Sequence, residues 1–304
     1  MAYRCVVLAK QVPDTKRITG EVMNDDGTVR RSALPAIFNP EDLNALELAL
    51  SIRDAHGGTV TVVSMGPPSA AEVLRESLYR GADRVILITD RRAAASDTLA
   101  TSYILACAIR KLPHDIVLCG RQAIDGDTAQ VGPQLAEKLE LPQITYLEEL
   151  VSLAERTIRV RRNVGNGFEI VETDLPVLMT VMETANWPRP PAARRLMKFK
   201  RARTPGELAA EVADQMGAEP GDQAVVAEAD RRARELQARG LLMEQWDLDA
   251  VGADLNWCGR SGSPTKVHRI QSVVLAGGQY REFAPTEEAL RELVGELIED
   301  HTFG

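Results

Sequence analysis

Short apolar runs recur through the first 183 residues, at 5–9, 59–64, 84–88 and 115–119, and amphipathic stretches with helical periodicity lie between them. This alternation predicts an α/β fold, an open and mostly parallel sheet flanked by helical crossovers. A first helix is expected to open at F-N-P-E-D. There Asn39 acts as cap, Pro40 suits the first helical position, and Glu41 and Asp42 favour the positive end of the dipole. It stops near Gly57-Gly58. A second opens with Ser69 and Glu72 as a capping box and stops at Gly81; a third covers 97–111.

Residues 144–182 read as a β-rich segment, in which 157–161 alternate and Asn166-Gly167 supplies a hairpin turn. The segment closes with an apolar strand, L-P-V-L-M-T-V at 175–181. Between 188 and 203 the chain holds seven Arg or Lys residues and three prolines, which predicts an exposed basic arm. Residues 205–245 are helix-prone and read as an insertion. Beyond them the chain is loop-rich until a last helix over 286–300. The expected division is therefore a nucleotide-binding α/β domain over 1–183, the arm over 184–203, the helical insertion over 204–245, and an extended C-terminal arm over 246–304.

Composition narrows the function. The 304 residues are 44% apolar and 26% charged, the balance of a globular chain with a sizeable core. A formal charge of -8 argues against a nucleic-acid partner, because attraction to phosphate needs clustered cations. The apolar run before Lys10 is too short for a signal-peptide core, so no membrane span and a cytoplasmic location are expected. Cys5, Cys107, Cys119 and Cys258 form no C-x-x-C pair and read as small buried hydrophobes. With four scattered histidines, no metal site is expected.

The most informative segment is G-R-Q-A-I-D-G-D-T-A-Q-V-G at 120–132, which follows the strand at 115–119 and runs into a helix expected over 128–139. Ligands of open α/β sheets bind at the carboxyl ends of strands, where helix N-termini aim free N–H groups outward. Gly120 and Gly126 permit close approach of a ligand, Arg121 adds positive charge, Asp127 or Thr128 caps the helix, and Thr128 and Gln130 offer further hydrogen bonds. The loops at 8–15, 38–42 and 65–66 reach the same edge, where Met65 suits an adenine face, although core packing is its ordinary explanation. A plain, well-capped strand-to-helix turn accounts for the 120–132 spacing equally well. Among known catalytic and phosphate motifs, G-x-S-x-G, the Walker lysine loop, H-E-x-x-H and an early G-x-G-x-x-G are all absent. A hydrolase or an ordinary Rossmann dehydrogenase is accordingly disfavoured.

Four segments occur together in order: V-V-L-A-K-Q-V-P-D-T (6–15), F-N-P-E-D-L-N-A-L-E (38–47), G-R-Q-A-I-D-G-D-T-A-Q-V-G-P (120–133) and L-P-V-L-M-T-V. With them the chain resembles the electron transfer flavoprotein beta, or small, subunit family across about residues 1–203. The resemblance implies an adenine-nucleotide-alpha-hydrolase-like fold. It also implies an electron transfer flavoprotein alpha subunit as obligate partner, whose mobile domain carries FAD, and AMP or a second FAD in the beta subunit. Carried over by position, the cofactor contacts fall on Leu8, Ala9, Asn39, Pro40, Glu41, Asp42, Met65, Gly120, Arg121, Gln122, Ala123, Ile124, Asp125, Gly126, Asp127, Thr128, Ala129, Gln130 and Val131. No catalytic residue is implied.

V-P-D-T, N-P-E-D, G-D-T-A-Q-V-G-P and the tail motif G-S-P-T (262–265) resemble the bifurcating branch, in which FAD in the beta site takes electrons from NADH. AMP in that site belongs to the ordinary branch, and the occupant stays open at this level. In the family's hairpin signature Glu169 and Pro176 fit, while Asn163, Gly165 and Asn166 stand where acidic residues are common. The arm is similar to the family's recognition loop, which docks an acyl-CoA dehydrogenase or quinone oxidoreductase type redox partner through an apolar anchor. Asn186, Pro188, Arg189, Met197 and Lys198 match, but the anchor position is Ala193 and Pro190 replaces an aromatic. Such a loss of burial is worth about 1.5–3 kcal/mol. The resemblance also implies that the C-terminal tail wraps the alpha subunit. The competing reading is a non-redox adenine-nucleotide-binding regulatory module similar to universal stress proteins; a nucleotide-dependent ligase would need an S-G-G-x-D-S-like loop that residues 10–15 do not supply.

Overall fold

Neighbouring residues of the apolar runs face opposite ways in a strand, so a run that is apolar throughout must be covered on both sides. That is how the chain folds. The structure is a computed structural model that describes residues 2–14, 35–265 and 282–299. Thr15 of the first loop, the tail over 266–281, and the chain end from Asp300 lie outside the described residues.

The strands are β1 (Tyr3–Leu8), β2 (Gln11–Pro13), β3 (Ala36–Phe38), β4 (Gly58–Met65), β5 (Arg84–Ile88), β6 (Ile116–Gly120), β7 (Gln143–Ala154), β8 (Thr157–Asn163), β9 (Phe168–Asp174), β10 (Val177–Val181) and β11 (Glu244–Trp246). The helices are α1 (Pro40–His56), α2 (Ala71–Arg80), α3 (Thr98–Ile109), α4 (Val131–Leu139), α5 (Ala193–Phe199), α6 (Pro205–Met216), α7 (Gln223–Ala238), α8 (Leu248–Val251), α9 (Gly259–Gly262) and α10 (Glu287–Glu299). Nine strands make one sheet in the order β11-β5-β4-β1-β6-β10-β7-β8-β9. It is parallel from β11 to β7 and antiparallel through β7, β8 and β9, which form the expected β-rich segment.

The two faces bury separate cores. Val7, Val62, Leu118 and Met179 lie with Leu46, Leu50 and Leu74 of α1 and α2. Val6, Val63, Val117 and Leu178 lie with Ile104 and Ile109 of α3 and Leu135 of α4 on the other face. Cys5, Cys119 and Cys258 are buried in these cores, as small hydrophobes, and Cys107 is partly buried.

One local expectation is corrected. Ser69 and Glu72 form no capping box, because Pro68–Ala70 makes a 3-10 turn first and Ala70 becomes the residue preceding α2. Ser69 instead exchanges hydrogen bonds of 3.0 Å with Gln11. The basic arm is exposed over most of 190–201, as expected, and is also tethered to the domain. Its α5 lies on α2: the Ala192 N–H donates to the Tyr79 carbonyl at 3.0 Å, and Arg195 donates to the carbonyls of Leu78 and Ala82 at 2.6 Å each. Arg189 grips Glu47 with two donors, at 2.8 and 2.9 Å, and reaches Asp54 at 2.8 Å. Arg189 and Arg195 are thus spent on carboxylates and helix-end carbonyls. Pro190, Ala193, Arg194, Lys198 and Lys200 remain exposed.

The helices of the 205–245 stretch pack on each other through Val212, Ala213, Val225 and Ala229, and a capping box between Thr204 and Glu207 starts α6. From there the chain returns to the large sheet as β11, where Glu244 pairs with Arg84 at 2.6 Å. Among the described residues no helix is long and apolar enough to cross a membrane.

Burial pushes the Glu47 carboxyl up, but the hydrogen bonds and charge of Arg189 more than offset it, so its pKa lies below the ordinary value. A depressed carboxylate contributes stability above its unfolded pKa, about 4.3 for Glu, and loses it as pH falls through the folded value. Arg189→Ala is expected to cost about 1–2 kcal/mol. It should also expose the arm to proteases at neutral pH, and the native chain should show the same sensitivity only below about pH 4. Limited proteolysis with mass mapping of residues 184–203 checks both.

Candidate nucleotide-binding site

The parallel strands end along one edge, and the structure brings the residues expected at the site to that edge. Leu8 closes β1 and Ala9 follows it; Met65 closes β4; Gly120 closes β6. Residues 39–42 open α1, and 121–131 lead into α4.

The side chains at the start of α1 have a different task from the one their sequence suggests. Asn39 does not cap α1. Its amide oxygen accepts the Ile124 N–H at 3.1 Å and its amide nitrogen donates to the Gln122 carbonyl at 2.9 Å. Glu41 accepts the Gln122 N–H at 2.8 Å and Arg121 Nε at 3.0 Å. Asp42 accepts the Gly120 N–H at 2.8 Å and the Lys10 N–H at 2.9 Å. All three side chains are buried, and every carboxylate oxygen and both ends of the amide have a partner in the loops. They hold the crest in shape and have little left for a ligand. Burial pushes the Asp42 carboxyl up to about 7, against the pull of its two N–H donors.

Gly120 is dictated by this contact. A Cβ there would sit 2.6 Å from Asp42 Oδ1 and 2.8 Å from the Glu41 carbonyl carbon, so α1 can lie this close to β6 only if residue 120 is glycine. Gly126 is the opposite case, with nothing within 4 Å of its would-be Cβ.

Between them the loop folds back on itself, the Gly126 and Asp127 N–H groups donating to the Ala123 carbonyl. Asp127 and Ala129 then take positive φ of 48° and 52°. These two left-handed residues delay the helix: α4 starts at Val131, not Thr128, with Gln130 before it and no side-chain cap from Asp127, Thr128 or Gln130. Among the described residues no acceptor is found for the N–H groups from Thr128 to Gly132. Several free donors at one helix N-terminus make an anion-binding ledge.

Other residues that sequence reasoning left out complete the ledge. Lys10 Nζ meets Asp125 at 2.7 and 2.8 Å, joining the first loop to the turn after β6. Arg121 lies 5.8 Å from the Tyr146 ring centroid. Thr98, first residue of α3, donates to Gln130 Oε1 at 3.0 Å and accepts from Gln134 Nε2 at 3.3 Å, so a second helix N-terminus adjoins the first. Position two residues past β1 was the available signal for Lys10, and S-D-T at a helix start was the signal for Thr98. Met65 is partly buried against the second core. No cluster of metal-ligating residues is found among the described residues.

The architecture is an open, mostly parallel α/β sheet with helix N-termini and a glycine-bearing turn at its carboxyl edge. A family model described as the electron transfer flavoprotein domain matches residues 26–205. The electron transfer flavoprotein subunit beta of Megasphaera elsdenii is 46% identical over 308 residues, covering 96% of this chain and 98% of the relative. That of Clostridium acetobutylicum is 38% identical over 296 residues, with 97% and 98% covered. The caffeyl-CoA reductase-Etf complex subunit CarD of Acetobacterium woodii is 36% identical over 301 residues, with 98% and 99% covered. The chain belongs to the electron transfer flavoprotein beta-subunit family.

Gly120→Ala is expected to force α1 off β6 and destabilise the fold by about 1–3 kcal/mol, read by chemical denaturation. Asp42→Asn places an NH2 against a backbone N–H and costs a further value in the range of about 1–3 kcal/mol. Because the folded pKa of Asp42 exceeds the unfolded one, the native state binds the extra proton between about pH 4 and about 7. The wild-type stability due to this group therefore falls as pH rises through that window. The penalty of Asp42→Asn should be larger at pH 5 than at pH 8.

Proposed function

We propose that this chain is the beta subunit of a heterodimeric electron transfer flavoprotein, and that it seats the adenylate end of FAD on the ledge between β6 and α4. The observation that carries the reading is the row of N–H groups from Thr128 to Gly132 for which no acceptor is found among the described residues, following the uncrowded Gly126. Those donors and the positive end of α4 suit a phosphate group, and the residues present fit one without rearrangement.

Arg121 adds fixed positive charge at the start of the turn, held in place by Glu41. Leu8, Ala9 and Met65 supply the apolar side of the crest, with Met65 offering a polarizable surface to a ring. Asn39, Glu41 and Asp42 act one step back, orienting the turn. FAD, when bound, supplies the redox chemistry, and the protein's part is to position it, exclude water and set the charge around it.

FAD is favoured over AMP by the motif set V-P-D-T, N-P-E-D, G-D-T-A-Q-V-G-P and G-S-P-T, which resembles the bifurcating branch. Full-length similarity to a subunit of a caffeyl-CoA reductase-Etf complex points the same way. The larger partner is an alpha subunit carrying its own flavin. The electron donor is NADH, and the acceptor is a dehydrogenase of the acyl-CoA type or a quinone oxidoreductase.

Coexpression with an alpha subunit, followed by counting of released flavin and AMP per heterodimer, tests this. Two flavins per heterodimer, with reduction by NADH, is the expected result. One flavin with one AMP would overturn the FAD assignment, and a ledge that binds neither would overturn the nucleotide reading itself.

A further inference from the structure

The G-S-P-T turn near the C-terminus has no part in the site described so far, yet hydrogen bonds tie it to Asp97, whose chain neighbour Thr98 bonds to the start of α4. Asp97 accepts both the backbone N–H of Thr265, at 3.0 Å, and its hydroxyl, at 2.5 Å, on Oδ2. Its other oxygen caps α3 by accepting the Ala100 N–H at 2.9 Å. The backbone N–H of Asp97 donates to Ser263 Oγ at 2.9 Å, and Ser263 Oγ in turn donates to the Gly259 carbonyl at 2.7 Å. Ser263 is buried, at 4% exposed, while Thr265 meets Asp97 at the surface.

The joint is built to close tolerances. Gly259 has φ of 61° and a Cβ there would sit 2.2 Å from the Arg92 carbonyl oxygen; a Cβ on Gly262 would sit 2.3 Å from the Trp257 carbonyl carbon. Only glycine lets the 258–262 turn seat under the loop that precedes α3. The residue after Asp97 is Thr98, whose hydroxyl holds Gln130 and Gln134 of the α4 entrance. Gln130 sits where a helix cap belongs but caps nothing, because its side chain is turned toward α3.

We propose that the G-S-P-T turn is a positioning clasp for the nucleotide ledge: Thr265 and Ser263 fix the start of α3 through Asp97, and α3 fixes the start of α4 through Thr98. Thr265 and Ser263 touch no ligand in this account. They set the direction of the free N–H groups two helices away through a contiguous chain of specific contacts, which is the kind of path that transmits coupling. By the same linkage, a nucleotide on the ledge tightens the seating of the tail.

The inference rests on the nucleotide reading of the ledge, and the test separates the two. Thr265→Val and Thr265→Ser are made in the full-length chain copurified with its partner subunit, and FAD and AMP are titrated calorimetrically against each after bound nucleotide is removed. Hydrogen exchange is followed at residues 128–132. Thr265→Val should weaken binding of the nucleotide that wild type prefers by about three- to tenfold and speed exchange at 128–132. Thr265→Ser, which keeps the hydroxyl, should restore both. Wild-type binding with no loss in Thr265→Val, or a loss that Thr265→Ser does not repair, overturns the clasp while leaving the ledge intact. Faster exchange without weaker binding reduces it to a structural joint and also overturns it. If wild type binds neither FAD nor AMP, the ledge reading fails and the clasp has nothing to position.

Discussion

Three buried polar side chains at the start of α1 hold the crest of this protein together. A buried carboxylate or amide is costly unless each of its polar atoms is bonded. Asn39, Glu41 and Asp42 meet that condition with the backbone N–H groups of Gly120, Gln122 and Ile124, every second residue of the turn after β6. One side of the turn is thereby spent on α1. The stretch beyond it, from Thr128, keeps its donors free for something outside the protein. Gly120 follows from the same constraint, since no side chain fits between β6 and α1 at that distance.

Much of this was legible. The apolar runs located the parallel strands to within a residue or two at each end, because a strand buried on both faces has no polar positions to blur the signal. The edge of the sheet on which the site lies followed from topology alone. What was not legible was the direction of individual side chains. N-P-E-D reads as a cap followed by two dipole-favourable acids, and nothing local says that Asn39 turns away from its own helix to reach residues 122 and 124. The late start of α4 depends on positive φ at Asp127 and Ala129, and Ala is not a residue whose identity announces that conformation. The strand β11 has three residues and no alternation to detect.

The arm shows what charge counting leaves out. The stretch is exposed, as its seven cations over 188–203 suggest, but three of the arginines are tethered: Arg189 on two carboxylates, Arg195 on the carbonyls around the end of α2, and Arg203 on Glu211. What is left for a partner is a smaller surface, with Arg194, Lys198 and Lys200 around Ala193 and Met197. Trp187, 95% exposed, stands between two tethered positions, Asn186 bonded to Asn44 and Arg189 bonded to Glu47. A fixed backbone on either side means that ordering this stretch costs little further entropy when another surface covers it.

The polar groups of the crest are largely turned inward. Its carboxylates are met by backbone N–H groups and by Arg121, and the Asn39 amide by the backbone of residues 122 and 124. Lys10 and Asp125 neutralise each other across the entrance, and a pair this exposed is worth only about 0–1 kcal/mol, so it opens at small cost. Arg121 is likewise held against Glu41, so the field left at the turn is chiefly that of the α4 N-terminus. A field of that sign suits an anionic group lying at the helix end.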